Sequence, residues 1–373
     1  MSMIINKRPT YVEINLSNIV NNFNIINSHV GQNTKVLASL KANAYGHGII
    51  EVANILQQNG CSWYGVAFIE EAIELRNAGI AGDILVMGGL YEGQIEEFLN
   101  YDITFTASSI LKLNQINTIA SKLGKIAKVH LKIDTGMERV GVHYYSAEPF
   151  LDEALRLPNL KIQGIYSHFA RVQKEDLSYS YLQLDRFKKI ASLLEVKLGS
   201  SVIKHISNSS GLVIKEANLD LVRPGIYLYG GIDEANKYFK FKAALRLISK
   251  VIYFKCVQKG AGVSYDHKWI APEDTRIVTI PIGYGDGYMR ALSNCGSVLI
   301  RGKKYPIVGS ICMDQLMVDI GPKGEAYVGD EVVLIGSMGD ESITADDLAT
   351  SAKTISYEIL TNLNQRLPRV YLN

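Results

Sequence analysis

The chain has 373 residues, of which 47% are hydrophobic and 20% charged, and its formal net charge is +2. A chain of this length exceeds what one compact core usually encloses, so we expect two domains. The near balance of charge, without a sustained basic run, argues against nucleic acid or an anionic membrane as a partner and favours a small-molecule substrate.

The start of the chain and its cysteines bear on location and on metal binding. Residues 1–10 contain Lys7, Arg8 and Pro9 after only a few apolar residues. That apolar stretch is too short for a signal peptide or a membrane span, so we expect a cytoplasmic protein. The cysteines lie far apart, which predicts free thiols and neither a disulfide framework nor a metal site; they are Cys61, Cys256, Cys295 and Cys312.

The first elements along the chain are a strand at 10–14 and a helix through Ile19, Phe23 and Ile26, with Ser17 placed to cap it. Short apolar runs then alternate with helical stretches, the rhythm of βα units around a parallel sheet. Eight such runs predict a closed (β/α)8 barrel of the TIM type. The runs are 35–41, 63–67, 83–87, 103–106, 128–134, 161–168, 203–207 and 219–223.

After about residue 235 the pattern changes to short β runs interrupted by Gly, Pro, Asn and Asp, which predicts a smaller β domain. We therefore place the barrel at 10–237 and the β domain at 238–373, where residues 1–9 could also pack. The β runs are 276–284, 296–302, 305–314 and 331–336, and a helical stretch follows at 354–364.

The active site of a barrel is assembled at the C-terminal ends of its strands, so the residues that end the runs should include polar ones. They do, at five of the eight runs. The residues concerned are Lys41, Lys132, Asp134, His168, Ser207, Asn208, Ser209 and Arg223.

Lys41 is the first of these residues. It ends an apolar run and precedes small residues and two glycines, Gly46 and Gly48, which would let a planar ligand approach the backbone. A desolvated lysine is suited to imine chemistry, because burial favours the neutral, nucleophilic amine. The alternative is a lysine whose stem packs while its amine reaches solvent, and the strand end alone leaves both open.

The loops after the seventh and eighth strands are where barrels frequently bind phosphate. Ser209 offers a hydroxyl there, and Gly225 and Ile226 follow Pro224 where a short helix could begin with free N–H groups. Ordinary capping and turn residues would explain either loop alone. The two loops together with Lys41 favour a phosphorylated carbonyl cofactor.

Several motifs occur in the order and spacing of the alanine racemase family, and the chain resembles that family along nearly its whole length. The resemblance implies a homodimer with shared active sites that uses pyridoxal 5′-phosphate (PLP) to interconvert L- and D-alanine. The motifs are VLASLKANAYGHG, HLKIDTGMERVG, YSHFA, HISNSSG, RPGIYLYG, GVSYD, GYGDGY, GSICMDQ and SYEIL.

The resemblance implies two catalytic bases. Lys41 would carry PLP as a Schiff base and act on the α-proton of D-alanine, and Tyr265 of the partner subunit would act on L-alanine. Two bases on opposite faces of a planar carbanion give a direct route to racemisation. Arg223 resembles the arginine that hydrogen-bonds the pyridine nitrogen of PLP, with His168 beside it. A guanidinium does not protonate that nitrogen, which should weaken the cofactor as an electron sink.

The resemblance also implies the remaining site residues. Tyr45, Asn208, Ser209, Gly225, Ile226 and Tyr357 match positions that bind the cofactor, most of them through its phosphate. Arg139 and Met313 match residues near the substrate carboxylate, with Cys312, Asp314 and Lys132 in support. Lys132 sits where some family members carry a carbamylated lysine. Asp266 departs from the family, where glycine is common, so its backbone should be less free to adopt a left-handed conformation.

Three other functions compete with alanine racemisation. A serine-preferring or broader racemase is close, because a pocket poorly rejects one added hydroxyl unless it carries a matched exclusion device. A PLP-dependent decarboxylase would need a cysteine motif that is not recognisable here. A non-catalytic PLP-binding barrel would lack the C-terminal domain. The sequence leaves open whether the product serves the cell wall or catabolism.

Overall fold

The computed structural model describes residues 8–173, 175–232 and 238–373. Contacts divide the chain into two compact units. One unit comprises residues 23–44 and 49–228; the other comprises the residues up to 22, residues 45–48 and the chain from 229 onward. Among the helices of the described residues, not one has both the length and the apolar character needed to span a bilayer.

The first unit is built on a ring of parallel strands. The first ten strands of the chain are β1 (Tyr11–Asn15), β2 (Lys35–Ser39), β3 (Trp63–Val66), β4 (Asp83–Val86), β5 (Phe105–Ala107), β6 (Ala127–Asp134), β7 (Val142–His143), β8 (Leu160–Tyr166), β9 (Ile203–His205) and β10 (Leu221–Val222). Two four-stranded sets, β10-β2-β3-β4 and β5-β6-β8-β9, are joined by parallel bridges between Leu85 and Thr104 and between Asn208 and Arg223. The predicted eight-stranded barrel is confirmed, with each of its strands at a predicted run.

The core of the barrel contains the fully buried cluster Leu37, Trp63, Leu85 and Leu221. Strands buried on both faces are apolar nearly throughout, which is why each was visible as a short run without alternation. Helices outside the ring connect the strands. They are Ile49–Gln58, Ile69–Asn77, Ile95–Asn100, Ile110–Lys122, Ala147–Arg156 and Ser178–Leu198, with short 3-10 helices at Ser210–Val213, Lys215–Ala217 and Ile226–Tyr229.

The helix that precedes the barrel spans Leu16–Val30 and buries Ile19, Phe23 and Ile26 as predicted. The predicted cap at Ser17 is wrong, because Ser17 lies inside the helix. The Asn15 Oδ1 atom accepts a hydrogen bond from the Asn18 N–H at 2.8 Å instead. Asparagine caps a helix as well as serine does, so residue type alone did not choose between them.

The second unit is rich in β structure. The strands that follow β10 are β11 (Leu245–Lys250), β12 (Tyr253–Val257), β13 (Gly262–Val263), β14 (Trp269–Ile270), β15 (Thr275–Ile280), β16 (Ser297–Ile300), β17 (Lys303–Pro306), β18 (Leu316–Asp319), β19 (Glu331–Met338), β20 (Glu341–Ile343) and β21 (Arg369–Leu372), and two helices span Ala345–Ala352 and Ser356–Asn362. The larger sheet of the unit has the order β17-β16-β19-β11-β1-β21, with β20 paired to β19, and a smaller sheet has the order β12-β15-β18.

Two details of the second unit differ from the expectation. Strand β1 pairs with β11 and β21, so it belongs to the sheet of the C-terminal half. The predicted run 305–314 is a strand only as far as Pro306, and the chain from Gly309 to Met313 forms a loop. The predicted boundary between 237 and 238 falls at residues 233–237, outside the described residues, so the domain limits stay a prediction.

Candidate active site

Lys41 lies two residues beyond Ser39, the last residue of β2, at the C-terminal edge of the barrel. Its side chain is exposed in the single chain, yet the surrounding protein removes enough water to lower its pKa. The cations Arg139 and Arg223 lower the pKa of Lys41 further, and the Glu71 carboxylate opposes them. A lowered pKa increases the fraction of neutral amine, the form that attacks a carbonyl carbon.

The backbone after Lys41 turns in the left-handed sense. The φ angles of Ala42, Asn43, Ala44 and Tyr45 lie between 52° and 55°. A left-handed turn costs about 1–2 kcal/mol per residue for residues other than glycine. Only asparagine among the four tolerates this region readily, so the sequence carried no signal for the turn. Such conformations persist only where the surrounding structure holds them, and they concentrate at functional sites.

Arg223 is buried, and both of its terminal nitrogens donate hydrogen bonds. Nη1 donates to His205 Nδ1 at 2.7 Å, and Nη2 donates to His168 Nδ1 at 3.1 Å and to the Ser167 carbonyl at 2.8 Å. Nε makes no hydrogen bond to a residue in the described part of the chain, so one donor remains for an acceptor such as a pyridine nitrogen. Burial lowers the pKa of Arg223 to about 10, and the guanidinium stays charged at neutral pH.

The hydrogen bonds of Arg223 fix the tautomers of two buried histidines. A guanidinium can only donate, so Nδ1 of His205 accepts and its Nε2 carries the proton. That Nε2 then donates to His130 Nδ1 at 2.7 Å, which places the proton of His130 on Nε2. Burial lowers the pKa of both rings, that of His130 to about 3, so both histidines are neutral.

Sequence analysis missed His130 and His205 because both lie inside strands. A signal was present in the alternation of β6, where His130, Lys132 and Asp134 are two residues apart and so share one face of the strand. A polar face on a barrel strand must satisfy its hydrogen bonds inside the barrel, which points to a buried polar network.

Because these histidines are buried and neutral, we predict that the free energy of unfolding falls steeply in acid. The pKa values of His130, His168 and His205 are lowered in the folded chain by burial and then by Arg223. Below about pH 6.5 the unfolded chain binds three protons that the folded chain does not. We therefore expect the free energy of unfolding to fall by up to about 4 kcal/mol per pH unit through this window.

The measurement is urea unfolding of the first unit, followed by near-UV circular dichroism, between pH 7 and pH 5. The variant His143→Gln should keep the slope, because His143 is half-buried outside the neutral histidine network, where it pairs with Glu138 and stacks on Tyr145. A stability that stays flat down to pH 5 would contradict the neutral histidine network.

Lys132 is buried, with 7% of its surface exposed, and its Nζ lies 4.6 Å from the centre of the Tyr166 ring. Burial lowers the pKa of Lys132 well below its usual value, and the nearby Arg223 acts in the same direction. The Tyr166 ring stacks on His205 at 4.7 Å, and its hydroxyl bonds the Thr106 hydroxyl at 2.7 Å. Lys132 therefore lies in the same buried cluster as Arg223.

The loop that carries Arg139 is held by Asp134 at the end of β6. The Asp134 carboxylate accepts hydrogen bonds from the N–H groups of Gly136, Met137 and Arg139 at 2.8, 2.9 and 3.2 Å. Burial alone would raise the pKa of Asp134, but the backbone donors outweigh it and the pKa is lowered. The Arg139 side chain is exposed, so it is free to reach a ligand.

The two predicted phosphate-binding loops meet within the barrel unit. The Ser209 hydroxyl, which is 5% exposed, accepts a hydrogen bond from the Gly225 N–H at 2.8 Å. Ile226 begins the 3-10 helix that follows, and Asn208 Oδ1 caps the other loop by accepting from the Gly211 N–H at 2.9 Å. The Ser209 hydroxyl can still donate, and with the backbone N–H at the start of the Ile226 helix it fits a phosphate group.

In the second unit Tyr45 lies among aromatic rings. Its ring centre is 5.1 Å from that of Tyr229 and 6.0 Å from that of Tyr357. The Tyr45 ring is buried, whereas Tyr357 is half-buried at the start of the last helix. The structure thus brings together two tyrosines that sequence analysis placed at the cofactor phosphate.

Tyr265 lies on the surface of the second unit, with 67% of the residue exposed. Asp266, expected to leave the backbone less free than glycine would, nevertheless adopts the left-handed conformation, with a φ of 60°. Aspartate, like asparagine, enters this region more easily than most residues. The loop is fastened by Ser264, whose hydroxyl donates to the Ser310 carbonyl at 2.6 Å and lies 3.4 Å from Cys312 Sγ.

The loop with Cys312 and Met313 is held from two sides. Tyr284 N–H donates to the Cys312 carbonyl at 3.1 Å, and Gly285 N–H donates to the Met313 carbonyl at 2.9 Å. A side chain at Gly283 would overlap those carbonyls, which explains the glycine. Met313 is 53% exposed, so its backbone is presented at the surface of the unit.

Asp314 belongs to a chain of ion pairs that sequence analysis missed. Arg366 Nη2 donates to Asp314 Oδ1 at 2.6 Å, and Arg366 Nε lies 3.3 Å from Oδ1 of the buried Asp286. Arg8 pairs with the other oxygen of Asp286 at 2.7 Å. Arg8 is the one charged residue of the predicted 1–9 segment that the structure describes, since residues 1–7 lie outside the described residues.

Two family models match the chain. The N-terminal domain of alanine racemase matches residues 14–233, and the C-terminal domain of alanine racemase matches residues 244–371. Their succession agrees with a barrel followed by a β domain.

Curated proteins and solved structures agree with the family models. "Alanine racemase 2" of Caldanaerobacter subterraneus subsp. tengcongensis is 42% identical over 98% of this chain and 95% of its own. An alanine racemase structure from Streptomyces lavendulae has a TM-score of 0.93 at 33% identity and covers 99% of this chain and 98% of its own. One from Bartonella henselae, described with covalently bound pyridoxal phosphate, has a TM-score of 0.89 at 30% identity, with 98% and 99% covered. The chain belongs to the alanine racemase family.

Proposed function

We propose that Lys41 and Tyr265 of the partner subunit are the two acid-base groups with which this enzyme racemises alanine. Family membership makes the chain a PLP-dependent alanine racemase. One observation supports the assignment of the reaction to this edge of the barrel. Lys41, whose pKa is lowered, lies at the same edge as the buried Arg223, whose hydrogen-bond partners are all neutral.

The residues present fit PLP. Lys41 offers an amine for covalent attachment, Arg223 Nε–H offers one donor to the pyridine nitrogen, and the Ser209 hydroxyl and the Ile226 N–H offer donors to the phosphate. The Gly225 N–H donates to Ser209, so a direct role of Gly225 at the phosphate stays a prediction. When bound, PLP withdraws electrons from the α-carbon of the substrate and so acidifies its α-proton. The assignments of Asn208, Tyr45 and Tyr357 to cofactor binding stay predictions.

The two bases divide the proton transfers. The Lys41 amine removes or returns the α-proton on the face that D-alanine presents, and the phenol of Tyr265 does so on the opposite face. Tyr265 is mostly exposed in its own chain, which leaves it available to a second subunit. A homodimer is therefore part of the proposal, as is a cytoplasmic location.

Arg223 moderates this chemistry. The guanidinium keeps its proton at neutral pH, and the neighbouring histidines are neutral. Neither Arg223 nor these histidines therefore protonate the pyridine nitrogen. A cofactor that keeps this nitrogen unprotonated is a weaker electron sink, which disfavours transamination. His168 supports Arg223 through the 3.1 Å hydrogen bond.

Substrate binding is assigned to Arg139 and to the Met313 backbone, with Cys312 and Asp314 shaping the loop. The fork of a guanidinium suits a carboxylate, and the loop held by Asp134 carries Arg139 on its exposed side. These roles carry over from the family motifs.

Lys132 is expected to be carbamylated. Its buried amine has a pKa well below the usual value, and only a neutral amine adds carbon dioxide. The amine nitrogen would bond to the carbon of CO2 and release a proton to solvent, and the product would be an anion near the cations Arg139 and Arg223, which favours it. We expect a carbamate carbon signal in the NMR spectrum of protein equilibrated with ¹³C-bicarbonate.

The matched variant is Lys132→Met, which keeps an unbranched side chain of similar length and should lose that signal. A parent spectrum without the signal, or one that Lys132→Met leaves unchanged, would contradict the assignment.

The experiment that tests the function compares L-alanine, L-serine and L-lysine with purified holoenzyme in a chiral assay. We expect D-alanine as the dominant product. Faster turnover of serine would favour the serine-preferring alternative, and no turnover of any amino acid would overturn the proposal.

A further inference from the structure

The left-handed turn at Ala42–Tyr45 begins at the residue after Lys41. Hydrogen bonds within the barrel unit hold this turn. Ala44 N–H donates to the Leu40 carbonyl at 2.7 Å, Asn43 Oδ1 accepts from the Ile49 N–H at 2.8 Å, and Ala42 N–H donates to Glu71 Oε1 at 2.6 Å. Only the bond to Glu71 involves a charged side chain, and Glu71 lies on the helix that follows β3.

Glu71 uses both of its carboxylate oxygens. Oε1 accepts from Ala42, and Oε2 accepts from the N–H groups of Ala67 at 2.7 Å and Phe68 at 3.2 Å. Ala67 and Phe68 follow strand β3, the neighbour of β2 in the barrel. The carboxylate therefore connects the segment after β2 to the segment after β3, next to Lys41 in the chain.

We propose that Glu71 is a positioning residue that holds the left-handed turn after Lys41 and thereby directs the Lys41 amine. This inference rests on the proposed function of Lys41. Glu71 is not a catalytic residue, because its oxygens are occupied by backbone donors and it acts on Lys41 through the turn.

The chemistry of the site requires a carboxylate of this length. Glutamine has a single acceptor oxygen, so it can keep the bond to Ala42 or the bonds to Ala67 and Phe68, but not both sets. Aspartate keeps the charge but is shorter by one methylene group, so it cannot span the same donors. The negative charge also raises the pKa of Lys41 against the effect of Arg139, so its removal should lower that pKa further.

The adjacent Glu70 supplies a matched control. It is exposed on the same helix, and its Oε1 accepts only from the Gln94 side chain, at 3.1 Å. Glu70→Gln removes the same charge one residue away without touching the turn. Any effect of Glu71→Gln that Glu70→Gln shares is a general effect of charge on the helix.

The first measurement is the attachment of PLP to cofactor-free protein, trapped by borohydride and read as a mass increase on Lys41 across a range of pH. We expect Glu71→Gln to attach PLP roughly 10- to 100-fold more slowly, because a misdirected amine loses the benefit of orientation. Its pH midpoint should move to lower pH. Glu70→Gln should behave as the parent.

The second measurement is the primary deuterium isotope effect with D- and L-alanine labelled at the α-carbon. If Glu71 acts through Lys41, Glu71→Gln should raise the isotope effect with D-alanine, whose proton goes to Lys41, and not raise it with L-alanine. A general loss of structure would not produce this difference between enantiomers.

Equal attachment rates and equal isotope effects for Glu71→Gln and Glu70→Gln would overturn the inference. If Glu71→Gln does not accumulate as folded protein, Glu71→Asp takes its place. Slower attachment and a raised isotope effect with D-alanine are expected again, whereas the pH midpoint should stay at the parent value because aspartate keeps the charge. If the parent itself fails to racemise alanine, the proposed function fails, while the attachment measurement still decides the role of Glu71.

Discussion

Replacing Lys41 by alanine is expected to reduce racemisation of both enantiomers by at least about 1,000-fold. The variant loses the amine that attaches PLP, which is also one of the two bases. Because an enzyme cannot change the equilibrium between the enantiomers, kcat/KM must fall by the same factor in both directions. The measurement is a chiral assay in each direction, together with borohydride trapping of the cofactor on the protein.

The matched control for this prediction lies on the same strand. Lys35 opens β2 at the opposite end from Lys41 and is exposed. Lys35→Ala should keep both trapping and turnover within about twofold, as for an ordinary surface change. Retention by Lys41→Ala of more than a tenth of the parent activity would contradict the assignment of Lys41.

Replacing Tyr265 by phenylalanine is expected to reduce racemisation by roughly 100- to 10,000-fold while preserving one half of the reaction. The variant keeps the ring and loses the phenol, so Lys41 can still exchange the α-proton of D-alanine with solvent. In deuterium oxide we therefore expect D-alanine, but not L-alanine, to gain deuterium at the α-carbon. Proton NMR of each enantiomer after incubation measures this exchange.

Tyr253→Phe is the control for Tyr265→Phe, because Tyr253 is also exposed in the second unit and lies on β12. It should leave racemisation unchanged. Loss of exchange from both enantiomers in Tyr265→Phe, or full retention of racemisation, would show that Tyr265 does not serve one face of the substrate.

The sequence predicted the barrel because strands buried on both faces appear as short apolar runs separated by helical stretches. It placed Lys41 and Arg223 correctly at strand ends for the same reason. The position of β1 was not predictable, since its partners β11 and β21 lie more than 200 residues away along the chain. Pairing across such distances leaves no local pattern.

The parts of the candidate site that escaped prediction share a physical cause. Apart from Asn43, the turn after Lys41 is built from residues that rarely adopt positive φ, so residue types gave no warning of a run of four. Glu71 and His205 act through hydrogen bonds whose partners come from other strands or loops. Such networks depend on tertiary placement, whereas a strand end can be read from a single run.

The most direct measurement of the two-base account follows L-alanine and the parent holoenzyme in deuterium oxide, with chiral separation and mass analysis of the first D-alanine formed. Two bases on opposite faces predict that this product carries one deuterium at its α-carbon, because the proton removed on one face is not the one delivered on the other. D-alanine that keeps the original proton would show that a single group moves it across, and the absence of D-alanine would refute the activity itself.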